Sequence, residues 1–231
     1  MTSEQLFNYG RICESEHKYD EMIQYYKQAT DMKHLGAMFN LAYHYDTHKD
    51  VTNMIKYYKI AIEHGHIGAM TNLALYYQDI NDHVELKKYF KMAAELGDSK
   101  GMSGLATHYQ TIKKYDEMMK YSIMAINLGS SNAMYNLGVY YEHILDYENM
   151  AKYYVMAAEH GHHGGISDIH KYYIHESRHV ELFALLLGIY KHDTKNDVIK
   201  DYLIQLLKHY NVACALISGH IALSKKVDVT G

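Results

Sequence analysis

Apolar residues recur at helical spacing along most of the chain, and the pattern itself repeats every 32 residues. In AMFNLAYHY (37–45), Ala37, Met38, Leu41, Ala42 and Tyr45 share one face at about 100° per residue, leaving Asn40, Tyr43 and Thr47 on the other. AMTNLALYY (69–77) and AMYNLGVYY (133–141) repeat that face. This predicts one helix of a pair, helix A. A second pattern, over about residues 52–64, sets Met54, Tyr57, Tyr58 and Ala61 along an apolar stripe and stops at Gly65, which suits the left-handed residue that ends helices. It predicts the partner, helix B.

The register holds without slippage. Tyr25, Tyr57, Tyr89, Tyr121 and Tyr153 keep the 32-residue step, as do Ala29, Ala61, Ala93, Ala125 and Ala157. A second series runs Leu41, Leu73, Leu105, Leu137 and Ile169, with Tyr45, Tyr77, Tyr109, Tyr141 and Tyr173 four residues on and Gly65, Gly97, Gly129 and Gly161 as punctuation. Small residues at 42 and 61 let the two helices approach closely, and the tyrosines are expected to fill the space between successive pairs. A single pair cannot bury its stripe, so the pairs must stack.

These motifs resemble the Sel-one-like repeat, a relative of the tetratricopeptide repeat, whose unit reads roughly A-x-x-N-L-G-x-x-Y and then K-A-x-x-W-Y-x-K-A-A-E-x-G. AMYNLGVYY and NMAKYYVMAAEHG (149–161) carry the match, which covers about residues 5–176 and weakens towards 190. The unit is shorter than is usual for that family, and the glycine-rich turn between helices A and B is missing. Met or Leu (Met22, Met54, Leu86, Met118, Met150, Leu182) stands where the family prefers Ala. The resemblance implies an all-α fold, a right-handed α-solenoid of antiparallel helix pairs, with the polar face of helix A on its concave side.

The ends depart from the pattern. The first unit carries Tyr9, Gly10 and Cys13 at the Leu, Ala and Tyr positions, and the sixth drifts after His179 into Leu182, Leu185, Leu186 and Ile189. Residues 198–209 read as an amphipathic helix with Tyr202, Leu203, Leu206 and Leu207 inward, and residues 212–223 as a short apolar one. Residues 1–190 thus form six helix-pair repeats, the terminal ones degenerate, and 191–231 form capping helices and a short tail. The alternative for these last helices is a partner-docking or oligomerisation surface.

Composition narrows the function classes. Proline is absent, as suits a chain that is nearly all helix, while 25 Tyr, 18 His and 14 Met are present. A formal charge of -4, with 23 Lys and Arg scattered and forming no obvious stripe, leaves nucleic acid without an electrostatic footprint. Cys13 and Cys214 make neither a disulfide framework nor a CxxC motif, which fits a reducing compartment. The opening MTSEQLFNYG lacks the features of a signal peptide, and the longest apolar run, residues 182–189, is far short of a membrane span. A cytoplasmic protein with no membrane or nucleic-acid partner is expected.

Candidate chemistry is sparse. His175, Glu176, Ser177, Arg178 and His179 spell H-E-x-x-H, which on one helix sets two imidazoles on zinc beside a general base, and this string alone supports a metal-dependent hydrolase. Position 175 falls at the end of helix A and 179 at the start of helix B, so a turn is expected between them. The segments His64-Gly65-His66 and His160-Gly161-His162-His163 cluster imidazoles without a fixed acidic or thiol partner, and read as exposed loops. Glu63, Glu95 and Glu159 read as solvated or locally paired carboxylates. No phosphate-binding glycine loop or nucleophile elbow occurs, so neither catalytic residue, cofactor nor metal is assigned.

What remains is the polar face of helix A, with Asn8, Asn40, Asn72, Asn136 and Asp168 in one row and Tyr43, Leu75, Thr107, Val139 and Lys171 one turn on. Amide side chains both donate and accept, so such a row can read the main chain of an extended peptide. Asn40, Tyr43, Asn72, Leu75, Thr107, Asn136, Val139, Asp168 and Lys171 are therefore the predicted partner-binding residues. The alternative is that the asparagines bond a neighbouring helix. The function expected is a non-enzymatic scaffold or adaptor binding a protein or peptide on this face. Its alternative is a regulatory or chaperone-like subunit docking through the solenoid ends.

Overall fold

The computed structural model describes residues 1–192 and 197–209, and among them the regular structure is entirely α-helical. The helices are α1 (Ser3–Ser15), α2 (Tyr19–Asp31), α3 (Leu35–Thr47), α4 (Val51–Glu63), α5 (Ile67–Asp79), α6 (His83–Glu95), α7 (Ser99–Thr111), α8 (Tyr115–Asn127), α9 (Ser131–His143), α10 (Tyr147–Glu159), α11 (His163–His175), α12 (His179–His192) and α13 (Asp197–His209). Odd-numbered helices up to α11 are helix A and even-numbered ones up to α12 helix B, which makes the fold an all-α solenoid of helix pairs.

One three-residue turn makes every connection from α1 to α12. Its middle residue is left-handed: Lys33, Gly65, Gly97, Gly129 and Gly161 after helix B, and His17, Lys49, Asn81, Lys113, Leu145 and Ser177 after helix A. The third residue's amide returns to a carbonyl five residues back, as from Asp50 to Tyr45 (2.9 Å) and from Asp98 to Ala93 (3.0 Å), which satisfies the helix end and reverses the chain. The turn between helices A and B, lacking glycine in sequence, therefore has the same geometry as its glycine-bearing counterpart.

The chain forms two compact units, Met1–Ala125 and Ile126–Gly231. In the first, Ala37, Met38, Leu41, Ala42 and Tyr45 of α3 are buried with Met54, Tyr57, Tyr58 and Ala61 of α4, as the periodicity predicts. Each such large side chain contributes roughly 1.5–3 kcal/mol of burial. The tyrosines do not all fill the space between pairs. Tyr45 stacks on Tyr57, Tyr77 on Tyr89 and Tyr109 on Tyr121, with centroids 5.7, 5.8 and 5.6 Å apart, and each stack lies inside one pair. The adjacent residue of helix B, Tyr26 or Tyr58, is the one that reaches the next pair, because the following position points about 100° round the helix.

The second unit repeats the arrangement with Tyr141 stacked on Tyr153 (5.5 Å) and Met150, Tyr154 and Ile169 clustered beneath. Leu182, Leu186 and Ile189 of α12 then bury against Ile199, Leu203 and Leu206 of α13. Of the residues expected inward on α13, Leu207 is instead exposed and Tyr202 only partly buried. Ile199 takes the core position because 199, 203 and 206 share one helical face. The apolar segment read at 212–223 lies outside the described residues.

Candidate partner-binding groove on helix A

The C-terminal halves of α3 and α5 and the start of α4 line a groove of about 360 Å³. Met54 is at its base, Tyr43, Val51 and Leu75 supply apolar walls, and Asp46 and Asp79 bring charge. Tyr43 and Leu75 are 51% and 49% exposed although both are large and apolar. The second unit carries the same groove three repeats on. There Glu142, Tyr147, Met150, Asp168, Lys171 and Tyr172 occupy the positions of Asp46, Val51, Met54, Asn72, Leu75 and Tyr76, around about 270 Å³.

The predicted residues divide between groove and scaffold. Tyr43, Asn72 and Leu75 come together in the first groove, and Asp168 and Lys171 in the second. Asn40 donates its amide to the Tyr26 hydroxyl (3.3 Å), and Thr107 donates to the Ser103 carbonyl (3.1 Å). Val139 packs against the cluster of Met150, Tyr154 and Ile169, and Asn136 is half-buried on α9.

A relay missed by sequence reading underlies the grooves. Tyr58 is fully buried, and its hydroxyl donates to Asp46 (3.3 Å) and accepts from Asn72 (3.0 Å). Tyr26 repeats this between Glu14 (2.8 Å) and Asn40, and Tyr154 donates to Glu142 (2.6 Å). In the last case the Asn position is Asp168, which accepts from Tyr135 (2.8 Å) and pairs with Lys171 (2.8 Å). Burial pushes the phenols of Tyr26, Tyr58 and Tyr154 up, so each stays a neutral hydroxyl able to donate. The sequence does hold a signal for this relay. Where the tyrosine becomes Phe90, the acid becomes Gln78 and the asparagine Gly104, and a Cβ on Gly104 would lie 2.5 Å from the Phe90 ring.

The histidines fall into different roles from those expected of exposed loops. His66 and His162, with His34, accept the amide of the third residue on through Nδ1 (3.1, 3.2 and 3.1 Å), capping α5, α11 and α3. Their rings stack on Phe39, Tyr135 and Phe7, with centroids 4.3, 4.2 and 4.4 Å apart, so they are half-buried because the cap faces the preceding helix A. His64 and His163 are exposed. The H-E-x-x-H string spans a turn: His175 ends α11 and pairs with Glu176 (2.9 Å), Ser177 is left-handed, and His179 opens α12. Among the described residues no three His, Cys, Asp or Glu side chains gather as a metal site.

Four of the lysines, read as scattered, repeat one local contact. Lys56, Lys88, Lys120 and Lys152 each lie over the ring of the next residue, Tyr57, Tyr89, Tyr121 or Tyr153, at 5.1, 4.8, 5.6 and 5.2 Å. Among the described residues no helix is long and apolar enough to cross a membrane.

No protein-family model and no curated protein matches the chain. Solved structures do. The protective antigen c5321 of uropathogenic Escherichia coli, which displays an SLR fold, is similar at a TM-score of 0.62 and 17% identity, over 86% of this chain and 47% of that one. A Sel1 repeat protein from Oxalobacter formigenes is similar at 0.62 and 20% identity, over 81% and 84%. A chain of the APC/C hetero-tetramer Cut9-Hcn1 is similar at 0.57 and 13% identity, over 90% and 43%. The chain thus spans about half the length of the antigen. The fold is that of Sel1-like and tetratricopeptide-like helical repeats.

Proposed function

We propose that this chain, with its Sel1-like repeat fold, is a non-enzymatic interaction scaffold that takes a protein or peptide partner on the helix-A face. One observation carries the reading: Tyr43 and Leu75, large apolar residues left half-exposed, flank a groove that also holds the amide of Asn72. An apolar wall beside convergent polar groups is the chemistry of a docking groove rather than of a solvated helix face. The similarity to repeat proteins, one of them within a protein complex, supports interaction in general. Asn40 belongs to the scaffold in this reading, and the binding set centres on Tyr43, Asn72 and Leu75, with Asp168 and Lys171 in the second unit.

Docking through the solenoid end is the second reading, favoured by Ile204 and Leu207, which α13 leaves exposed. Photo-crosslinking residues placed at 75 and at 207, expressed in the native cell, separate the two. Partners crosslinked at 75 and lost when Tyr43→Ala is added, with melting unchanged, support the groove. Partners found at 207 alone move the interface to the end.

A further inference from the structure

The groove of the first unit is lined by two carboxylates and one cation, Asp46 and Asp79 against Lys49. Among the described residues neither carboxylate forms an ion pair, and Asp46 commits one oxygen, Oδ2, to the buried Tyr58 hydroxyl. That bond orients the carboxylate before anything binds. The stem around it is apolar, from Val51, Met54, Leu75 and Ile80, and Tyr76 adds an aromatic ring.

The second groove, in the other unit, keeps the features that matter and varies the rest. Glu142 stands for Asp46 and is held by the Tyr154 hydroxyl, Met150 stands for Met54, and Tyr172 for Tyr76. Lys171 and His175 pair with Asp168 (2.8 Å) and Glu176 (2.9 Å), and among the described residues Glu142 forms no ion pair. A tethered acid, a tyrosine and a methionine therefore recur at matching repeat positions.

We infer that these grooves are built for a basic residue of an extended peptide, an inference that rests on the interaction reading above. The aliphatic stem of an arginine or lysine lies along the methionine and branched side chains, its cationic head meets Asp46 or Glu142, and Tyr76 or Tyr172 offers a ring face. An acidic or phosphorylated segment meets the wrong charge at both grooves. A purely apolar segment leaves the tethered carboxylate desolvated and unpaired.

The test uses the full chain and pools of acetylated peptides of about nine residues, with apolar flanking positions and a central Arg, Lys, Gln or Glu, followed by fluorescence anisotropy. The Arg and Lys pools are expected to bind about tenfold tighter than the Gln pool, a difference that shrinks between about 0.1 M and 0.5 M salt. Combining Asp46→Asn, Asp79→Asn and Glu142→Gln should abolish the preference, while the amides still accept from Tyr58 and Tyr154 and keep the fold. If that variant fails to fold, the charge preference and its salt dependence in the unaltered chain decide the matter. Equal binding of the Gln and Arg pools, or preference for Glu, overturns the inference and leaves the scaffold reading standing. Failure of every pool to bind overturns the groove itself.

Discussion

Asn72 donates its amide to the Tyr58 hydroxyl, 3.0 Å away on the preceding helix, and so ties one helix pair to the next. The bond gives one residue of the row that reads as a peptide-binding face a structural role beside its place in the groove. Asn72→Ala should lower stability by about 1 kcal/mol, the net value of a hydrogen bond, and the same loss should vanish in a Tyr58→Phe background. Denaturant melts of the two single variants and the double variant measure the coupling. A coupling near zero would show that the amide points elsewhere in solution.

Ala93 is fully buried on α6, and a Cβ on Gly101 of α7 would lie only 2.7 Å from its own. Nothing larger than a methyl fits between these helices. Ala93→Arg forces a long charged side chain into that contact with no partner, at a cost of about 4 kcal/mol or more. Far-UV circular dichroism and thermal melting check it, and an unchanged melting temperature would mean that residue 93 faces solvent.

Helix positions were legible because each helix buries one face and the faces repeat: α4 begins at Val51 and ends at Glu63, one residue from the bounds read out of the pattern. The interplay of neighbouring pairs was legible only as an alternative, that the asparagines bond a neighbouring helix, without the groups they meet. Helical periodicity places Asn40 and Asn72 opposite the core of their own pair, but the surface they meet belongs to Tyr26 and Tyr58 of the preceding pair, and no single-helix pattern contains it. Asp46 was missed for a related reason. At the end of a helix it reads as a solvated carboxylate, and only the approach of Tyr58 makes it a fixed one. The histidine caps were misread because a residue just after a turn glycine looks like loop, whereas its ring folds back over the preceding helix A.

Leu145 occupies the left-handed position of the turn between α9 and α10 at φ 60°, where a branched side chain crowds the following carbonyl. The corresponding turns after α4, α6, α8 and α10 use glycine. Leu145→Gly should therefore stabilise the protein by about 1 kcal/mol even though it enlarges the freedom of the unfolded chain, and Gly129→Leu should destabilise it by a similar amount. Leu145 is 67% exposed, so its loss removes little burial. A lower melting temperature for Leu145→Gly would mean that the side chain does work on a surface these contacts do not include.

Acidification should unfasten the histidine caps. His66 accepts the Ala69 amide through Nδ1, so protonation of that nitrogen places two N–H groups face to face and abolishes the cap. Burial holds the His66 imidazole below its ordinary value of 6.5, and burial followed by the nearby His163 does the same for His162, with Asp168 opposing. His44, His108 and His170 are shifted in the same direction, again chiefly by burial. A base whose folded value is depressed stabilises the native state fully above the unfolded value, and that contribution is lost as pH falls through the folded one. The melting temperature should thus fall between about pH 7 and pH 5. Asp50 and Asp146, held below the ordinary 3.8 by Asn53 and Asn149, contribute to a separate loss at lower pH. His66→Asn supplies a cap that does not titrate in the upper window, so its melting temperature near neutrality should stay close to that of the unaltered chain while its decline towards pH 5 becomes shallower. An identical decline in both proteins would show that the cap is retained on protonation, with the ring turned to present its other nitrogen.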